Sequence, residues 1–414
     1  MSDEPGRDGP EAKGAASVPA EHEDGASLRP ESRRWSRRQL LFGGGSLLGG
    51  MAIGAVGATA VSDRLPVQDD PSTSANAGDV SRVVATGEHQ AGINRPDVPA
   101  SHALYSVLDA PQTRTREDLV TMLAALGDRV LSLAESASGL LPDGAGDLAV
   151  CIGVGARLVE LVEGSTARVD LPHFAGDDAL PPERRGGDVL IITSASDPGI
   201  LEPVTAELVA AAQLSLRWSE AGYRGRPRQD VARNPFGFYD GVMIPRDDDA
   251  LEQGVWIGSG AFAGGTICVV RHFDLDVDRF RELAEGDQEQ VIGRHKADGS
   301  PLTGGDTFAE SDLLAKTSTG SYVTPASSHV RAAHPSFVGR PLMLRRSYSV
   351  LSAGTVSGLL FTSFQNDVRT FVATQQRMDD MDAMMAYTSV RGIGAFALLP
   401  GFDSAQKLGA SLER

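Results

Sequence analysis

Two stretches of this chain, one on each side of Asp240, repeat a single order of strand-like and helix-like segments, and that repetition limits the available folds. Before Asp240, LAVCIGV (148–154) and DVLIITSA (188–195) are apolar runs of strand length, and LEPVTAELVAAAQLSL (201–216) has helical spacing. After it, GTICVVRHF (265–273) and GLLFTSF (358–364) read as strands, with DVDRFRELA (276–284) and VRTFVATQQRM (368–378) as helices. Further upstream, Thr115 can cap a helix whose apolar residues Leu119, Met122, Leu123, Leu126 and Val130 recur at intervals of three and four. No strong identity links the halves, so the repeat is one of architecture. The order predicts an α+β fold of two halves, 83–250 and 251–414, each an antiparallel sheet with helices on one face. A doubly wound parallel sheet fits less well.

The chain ahead of residue 83 carries no such pattern. Residues 1–31 are rich in Gly, Pro, Asp, Glu and Ala, with too few large apolar groups to offset the entropy of ordering a backbone. From Ser32 to Val61 a basic cluster precedes a weakly hydrophobic Gly/Ala stretch that ends in Ala58-Thr59-Ala60, the layout of a removable export signal. Its glycine content sets it apart from a Leu-rich membrane span. Within it, Ser36-Arg37-Arg38-Gln39-Leu40-Leu41 resembles the twin-arginine motif, which implies export of an already folded protein through the twin-arginine machinery. Residues 1–61 are therefore read as signal and 62–82 as a polar linker. The glycines at 43–50 follow no strand, which rules out a dinucleotide fingerprint there.

Charge and cysteine content narrow the function classes. The net charge of −17 argues against a nucleic-acid groove, which needs clustered Lys and Arg. Cys151 and Cys268 each sit inside an apolar run and read as small core residues; two cysteines cannot build a thiolate zinc or iron–sulfur site.

The fragment GFYDG (237–241) poses the functional question. Asp-Gly is a common turn pair, because Asp bonds its own backbone and Gly accepts positive φ. Read alone, Asp240 is a turn residue; it becomes a candidate acid only if distant segments supply partners. Among the histidines, His329 and His334 in SSHVRAAHP stand out, and MLRRSYS with Arg345 and Arg346 follows.

Taken in order, GEHQAGI (87–93), LPPERRGGDVLI (180–191), GFYDG (237–241), VIGRHKADGSPL (291–302), SHVRAAHP (328–335), LMLRRSYS (342–349) and GLLFTSFQND (358–367) resemble the dye-decolorizing peroxidases. The exported branch that includes deferrochelatase-type enzymes is the most similar. The resemblance implies two ferredoxin-like halves of the dimeric α+β barrel type, with a haem pocket mainly in the C-terminal half and one haem b per chain. By position, His329 matches the proximal iron ligand, and Asp382 matches the acid that receives its other ring proton. Asp240 matches the distal acid and Arg345 the distal arginine. Gly241, Val242 and Met243, like His334, Pro335 and Ser336, match stretches that touch the porphyrin.

Those residue types suit the chemistry. An imidazole ligates iron best when its second nitrogen donates to a carboxylate. Peroxide must lose a proton from one oxygen and gain one on the other before its O–O bond breaks, which a nearby carboxylate can arrange. A guanidinium stabilises the charge that develops. The sequence departs from the family at Ser336, where an arginine is usual; Arg294 or Arg340 is the candidate replacement for that propionate contact. His334 adds a second imidazole, and Val242-Met243-Ile244 replace the usual Thr-Ala-Asn. The expectation is an exported haem b peroxidase, in the cell envelope, periplasm or outside the cell. It uses hydrogen peroxide and an organic or metal reductant, and a homo-oligomer stays open. Release of iron from haem is the alternative. Trp218, Trp256 and Tyr348 suit either electron relay or core.

Overall fold

The computed structural model describes residues 82–135, 139–352 and 355–413. The signal region (1–61) and nearly all of the linker (62–82) lie outside the described residues. The described strands are β1 (His102–Asp109), β2 (Ala149–Val154), β3 (Val189–Ala195), β4 (Ser215–Tyr223), β5 (Ala232–Arg233), β6 (Tyr239–Asp240), β7 (Thr266–Leu275), β8 (Leu344–Arg345), β9 (Tyr348–Ser352), β10 (Thr355–Gln365) and β11 (Thr388–Leu398). The α-helices are α1 (Arg116–Glu135), α2 (Ala156–Glu163), α3 (Leu201–Ala211), α4 (Asp248–Gly254), α5 (Val277–Arg281), α6 (Glu285–Ile292), α7 (His329–Ala332), α8 (Pro335–Val338) and α9 (Val368–Met381).

The first helix starts where its cap lies. Thr115 Oγ1 accepts from the Asp118 amide at 3.1 Å, and the Asp118 carboxylate accepts from the Thr115 amide at 3.0 Å. Such a reciprocal cap satisfies amides that a helix N-terminus otherwise leaves open. Its buried face includes Leu119, Met122, Leu123, Leu126 and Val130, the stripe the spacing predicts.

The fold is α+β, with one large antiparallel sheet. Its order, β7-β11-β2-β3-β1-β4-β9-β10, closes on itself because β10 also pairs with β7, with Leu360 opposite His272. The sheet is thus a barrel. Closure depends on short joins: Ala397 and Leu398 meet Val154 and Gly153, and Tyr223 meets Ser349. Strands β1–β4 stand in the order β2-β3-β1-β4, and the later ones in the order β11-β7-β10-β9.

Each strand of the ring contributes to one buried interior cluster, including Tyr105, Cys151, Ile192, Trp218, Cys268, Tyr348, Leu360 and Phe396. Trp218, Trp256 and Tyr348 are all buried in it. Both cysteines are free and buried there; burial pushes the Cys151 thiol up to about 12 and raises Cys268 as well. The opposite sheet face, with Ile152, Ile191, Val269 and Ile393, packs against α1, α3 and α9 through Leu123, Leu208 and Phe371.

One predicted element needs correction. The helix expected over 201–216 stops at Ala211, Gln213 turns the chain with φ 51, and Ser215 opens β4. The apolar spacing changes from helical to alternating at that point, so Trp218 and Gly222 face the barrel interior.

Candidate active site

His329 is the first residue of α7, and its Nδ1 lies 2.6 Å from Asp382 Oδ2. The carboxylate is shut off from solvent, while the imidazole is one-third exposed (33%). Asp382 reaches this position as the cap of the turn over Ala383–Tyr387, where its Oδ1 accepts from the Met384 amide at 2.9 Å. A further bond, from the Ala383 amide to the Ser327 carbonyl at 2.9 Å, ties the two loops together. A buried carboxylate at that distance fixes the proton on Nδ1, which leaves Nε2 as the basic nitrogen. Nε2 has no hydrogen-bond partner among the described residues.

That geometry has a consequence for what the imidazole can hold. Among the described residues, no group of three or more His, Cys, Asp or Glu side chains could hold a bare metal ion. A metal on Nε2 must bring its own equatorial ligands, as haem iron does. Half-buried Met384 and Met385 come shortly after Asp382, and half-buried Leu359 of β10 lines a small cavity together with Asp240. Sequence reasoning missed these three.

Asp240 ends β6, whose register sets it opposite Ala232 of β5. Its Oδ1 accepts from the Gly241 amide at 2.7 Å, and Gly241 has φ 76, where a side chain would be strained. The turn reading is therefore correct, and it leaves Oδ2 uncommitted. Arg345 arrives from β8, opposite Ser363 of β10. Burial lowers the pKa of its guanidinium, and the Asp240 carboxylate acts against that shift. The two interact electrostatically without forming an ion pair, and no hydrogen bond from the guanidinium to a described residue holds it elsewhere.

The other predicted residues are placed differently. His334 is buried as the cap of α8: Nδ1 accepts from the Ser336 amide at 3.2 Å, and Nε2 lies 3.3 Å from Glu310. Burial lowers its pKa against the opposing pull of Glu310. Both of its nitrogens face protein groups, unlike those of His329. Pro335 begins α8, and Ser336 is exposed. Arg294 is buried and donates to the carbonyls of Gly299, Thr307 and Ala309 at 2.8, 2.8 and 3.0 Å, so its first role is to hold that loop. Arg340 faces Asp367 at 3.4 Å. Val242 is buried, and Met243 is half-buried beside Asp240.

Residues 231–403 match the family model described as Dyp-type peroxidase, C-terminal. The chain is 30% identical to the dye-decolorizing peroxidase of Thermobifida fusca, over 92% of this chain and 98% of that protein. The chain belongs to the dye-decolorizing peroxidase family. A solved DyP-type peroxidase from Cellulomonas bogoriensis is 30% identical with a TM-score of 0.70, covering 81% of this chain and 98% of that one. Ferric DtpA from Streptomyces lividans is 27% identical with a TM-score of 0.73 over the same shares, 81% and 98%. A relative named Deferrochelatase, from Yersinia pestis, is 27% identical over 89% of this chain and 93% of its own. This dye-decolorizing peroxidase is a haem-dependent enzyme with haem b as its cofactor.

Proposed function

We propose that this enzyme is an exported peroxidase in which His329 Nε2 would hold the haem iron and Asp240 with Arg345 would act on peroxide. In this reading the two halves are ferredoxin-like modules, 83–250 and 251–414, and the haem sits mainly in the second. When bound, haem supplies the redox capacity that cleaves peroxide and is restored by one-electron reductants, organic or metal. Asp382 keeps the Nδ1 proton of His329 in place, so Nε2 stays basic and the ring stays oriented. Asp240 Oδ2 takes a proton from one peroxide oxygen and returns it to the other. Arg345, desolvated and always charged, stabilises the negative charge that develops on the departing oxygen. Gly241, Val242 and Met243 border the acid, and Pro335 and Ser336 lie beyond the proximal histidine.

The observation that carries the reading is Asp240 with Arg345. Elements far apart in the chain place a carboxylate and a half-buried guanidinium where each feels the other's charge without forming an ion pair. Stopped-flow mixing of ferric variants with hydrogen peroxide tests it. Asp240→Asn keeps the shape, removes the base, and slows the peroxide reaction on the order of 100-fold. Arg345→Leu costs a similar factor, because the charge that stabilises the departing oxygen is gone. An Asn variant as fast as wild type, beside a dead Leu variant, would reduce Asp240 to a turn residue.

The twin-arginine segment supports export to the envelope, periplasm or medium, with the haem already in place. Iron release from haem is a second reading, favoured by the relatives named Deferrochelatase. Iron freed while the tetrapyrrole stays intact is its signature.

A further inference from the structure

Four of the chain's nine methionines, Met378, Met381, Met384 and Met385, fall within eight residues that also contain Asp382. Their backbones build the seat of that carboxylate. The Asp382 amide donates to the Met378 carbonyl at 2.9 Å, and the Met385 amide donates to the Asp382 carbonyl at 3.1 Å. The Met384 amide donates to Asp382 Oδ1 at 2.9 Å, which leaves Oδ2 for His329 Nδ1. Any disturbance of these methionines therefore reaches the carboxylate that orients the histidine.

The side chains help to seat the turn over Ala383–Tyr387. Met384 and Met385 are half-buried and, with Tyr387, pack against the larger hydrophobic cluster. Tyr387 meets the Phe280 ring edge-on, with 5.2 Å between ring centres. Met381, at the end of α9, is 38% exposed, whereas Met122 and Met343 are only 6% and 7% exposed. A thioether is apolar and flexible, which suits it to such packing, and peroxide converts it to a polar sulfoxide. A peroxidase works in the presence of that oxidant.

We propose that Met384 and Met385 are a peroxide-modification site whose oxidation weakens the hold of Asp382 on His329. The thioether sulfur attacks one peroxide oxygen, the O–O bond breaks, and the other oxygen leaves as water with both protons. Sulfur loses two electrons and peroxide gains them. At Met385 the new oxygen arises beside Thr388 Oγ1, which donates to the Met385 carbonyl at 3.0 Å and lies 4.0 Å from Sδ. A sulfoxide oxygen is a stronger acceptor than a thioether, so it competes with that carbonyl for the hydroxyl. At both residues a polar group replaces one that packs on apolar surface, and the turn loosens. Met381, the most exposed of the group, reacts first and takes up oxidant without disturbing the turn. The consequence for haem rests on the reading of His329 as its ligand.

The test treats the haem-loaded enzyme with hydrogen peroxide in the absence of a reductant. Peptide mass spectrometry locates the sulfoxides, and transfer of haem into excess apomyoglobin measures its retention. Sulfoxide should appear at Met381 first and then at Met384 and Met385, with Met122 and Met343 spared. Haem transfer should quicken by about tenfold in step with modification of Met384 and Met385, the low end for lost support of a ligating histidine. Methionine sulfoxide reductases A and B should restore wild-type retention; failure to restore it overturns the assignment. Met384→Leu combined with Met385→Leu keeps apolar side chains of similar volume and should retain haem through the same treatment, while Met381→Leu should lose it at the wild-type rate. Peroxide-induced haem loss from the double Leu variant equal to that from wild type overturns the site, as does haem loss with Met384 and Met385 unmodified. The reductase measurement needs no variant, so it decides the matter if the double variant does not fold. His329→Ala measured alongside keeps the two claims apart. If it retains haem as wild type does while oxidation of Met384 and Met385 still quickens haem loss reversibly, the ligand reading fails and the modification site stands. If it loses haem while the sulfoxidised enzyme retains it, the modification site fails and the ligand reading stands.

Discussion

Asp382→Asn perturbs one bond and makes two opposed demands on a single amide. In the native site, Oδ2 accepts from His329 Nδ1 at 2.6 Å while Oδ1 accepts from the Met384 amide at 2.9 Å. Asparagine has one carbonyl oxygen for those two donors. If the carbonyl keeps the Met384 cap, its NH₂ faces Nδ1 and forces the ring proton onto Nε2, where it blocks ligation. If the carbonyl turns to the histidine, the cap is lost at about 1 kcal/mol, and the charge assistance of the bond is lost in either case. The carboxylate is fully shielded from water, so solvent does not replace it. Partners of ligating histidines are worth about 10- to 100-fold in affinity, which is the expected loss for haem. The negative charge favours ferric over ferrous iron; if the whole effect falls on the ferric form, the midpoint potential rises by about 60–120 mV, at roughly 59 mV per tenfold for one electron. Haem dissociation into excess apomyoglobin and a spectroelectrochemical titration measure the two quantities. A variant with wild-type haem retention and wild-type potential would refute the reasoning.

Two more outcomes follow from other parts of the molecule. His272 lies 3.6 Å from Glu220, and burial, joined by the Arg184 and Arg391 cations and opposed by Asp274, holds its pKa at about 4 instead of 6.5. The unfolded chain binds that proton below about 6.5 and the folded one only near 4, so stability is lost as pH falls through this window, by about 3 kcal/mol. Glu220, whose pKa burial raises, works in the opposite sense, so the quantity to read is the difference between wild type and His272→Gln in urea unfolding at pH 7 and pH 4.5; equal losses in both would contradict the assignment. Replacing both Arg37 and Arg38 by Lys should leave a folded, haem-loaded precursor in the cytoplasm by fractionation, and normal export of that variant would remove the twin-arginine reading.

Much of the architecture was legible because local chemistry and tertiary packing agree. The stripe of α1 and its Thr115 cap are set within one helix, and β2 and β3 are short apolar runs buried along their whole length. That same uniform burial hides which face enters the barrel. Strands β1, β4, β9 and β11 were not assigned, and ring closure depends on contacts such as Tyr223 with Ser349, far apart in sequence. At the site, family position brought out His329 and Asp382 although 53 positions separate them. It could not show that His334 caps α8 or that Arg294 binds three loop carbonyls, because those partners are backbone groups that no side-chain pattern announces.

The central claim is that His329 is the residue that holds haem iron. Absorption spectra of the ferric protein, expressed with ample haem and compared across wild type, His329→Ala and His334→Ala, test it directly. In the structure His329 Nε2 has no described partner, while both nitrogens of His334 face protein groups. The account predicts that His329→Ala loses the wild-type Soret band and most of its haem, with partial recovery on adding imidazole, and that His334→Ala keeps the wild-type spectrum. A normal spectrum for His329→Ala together with a lost one for His334→Ala would contradict it.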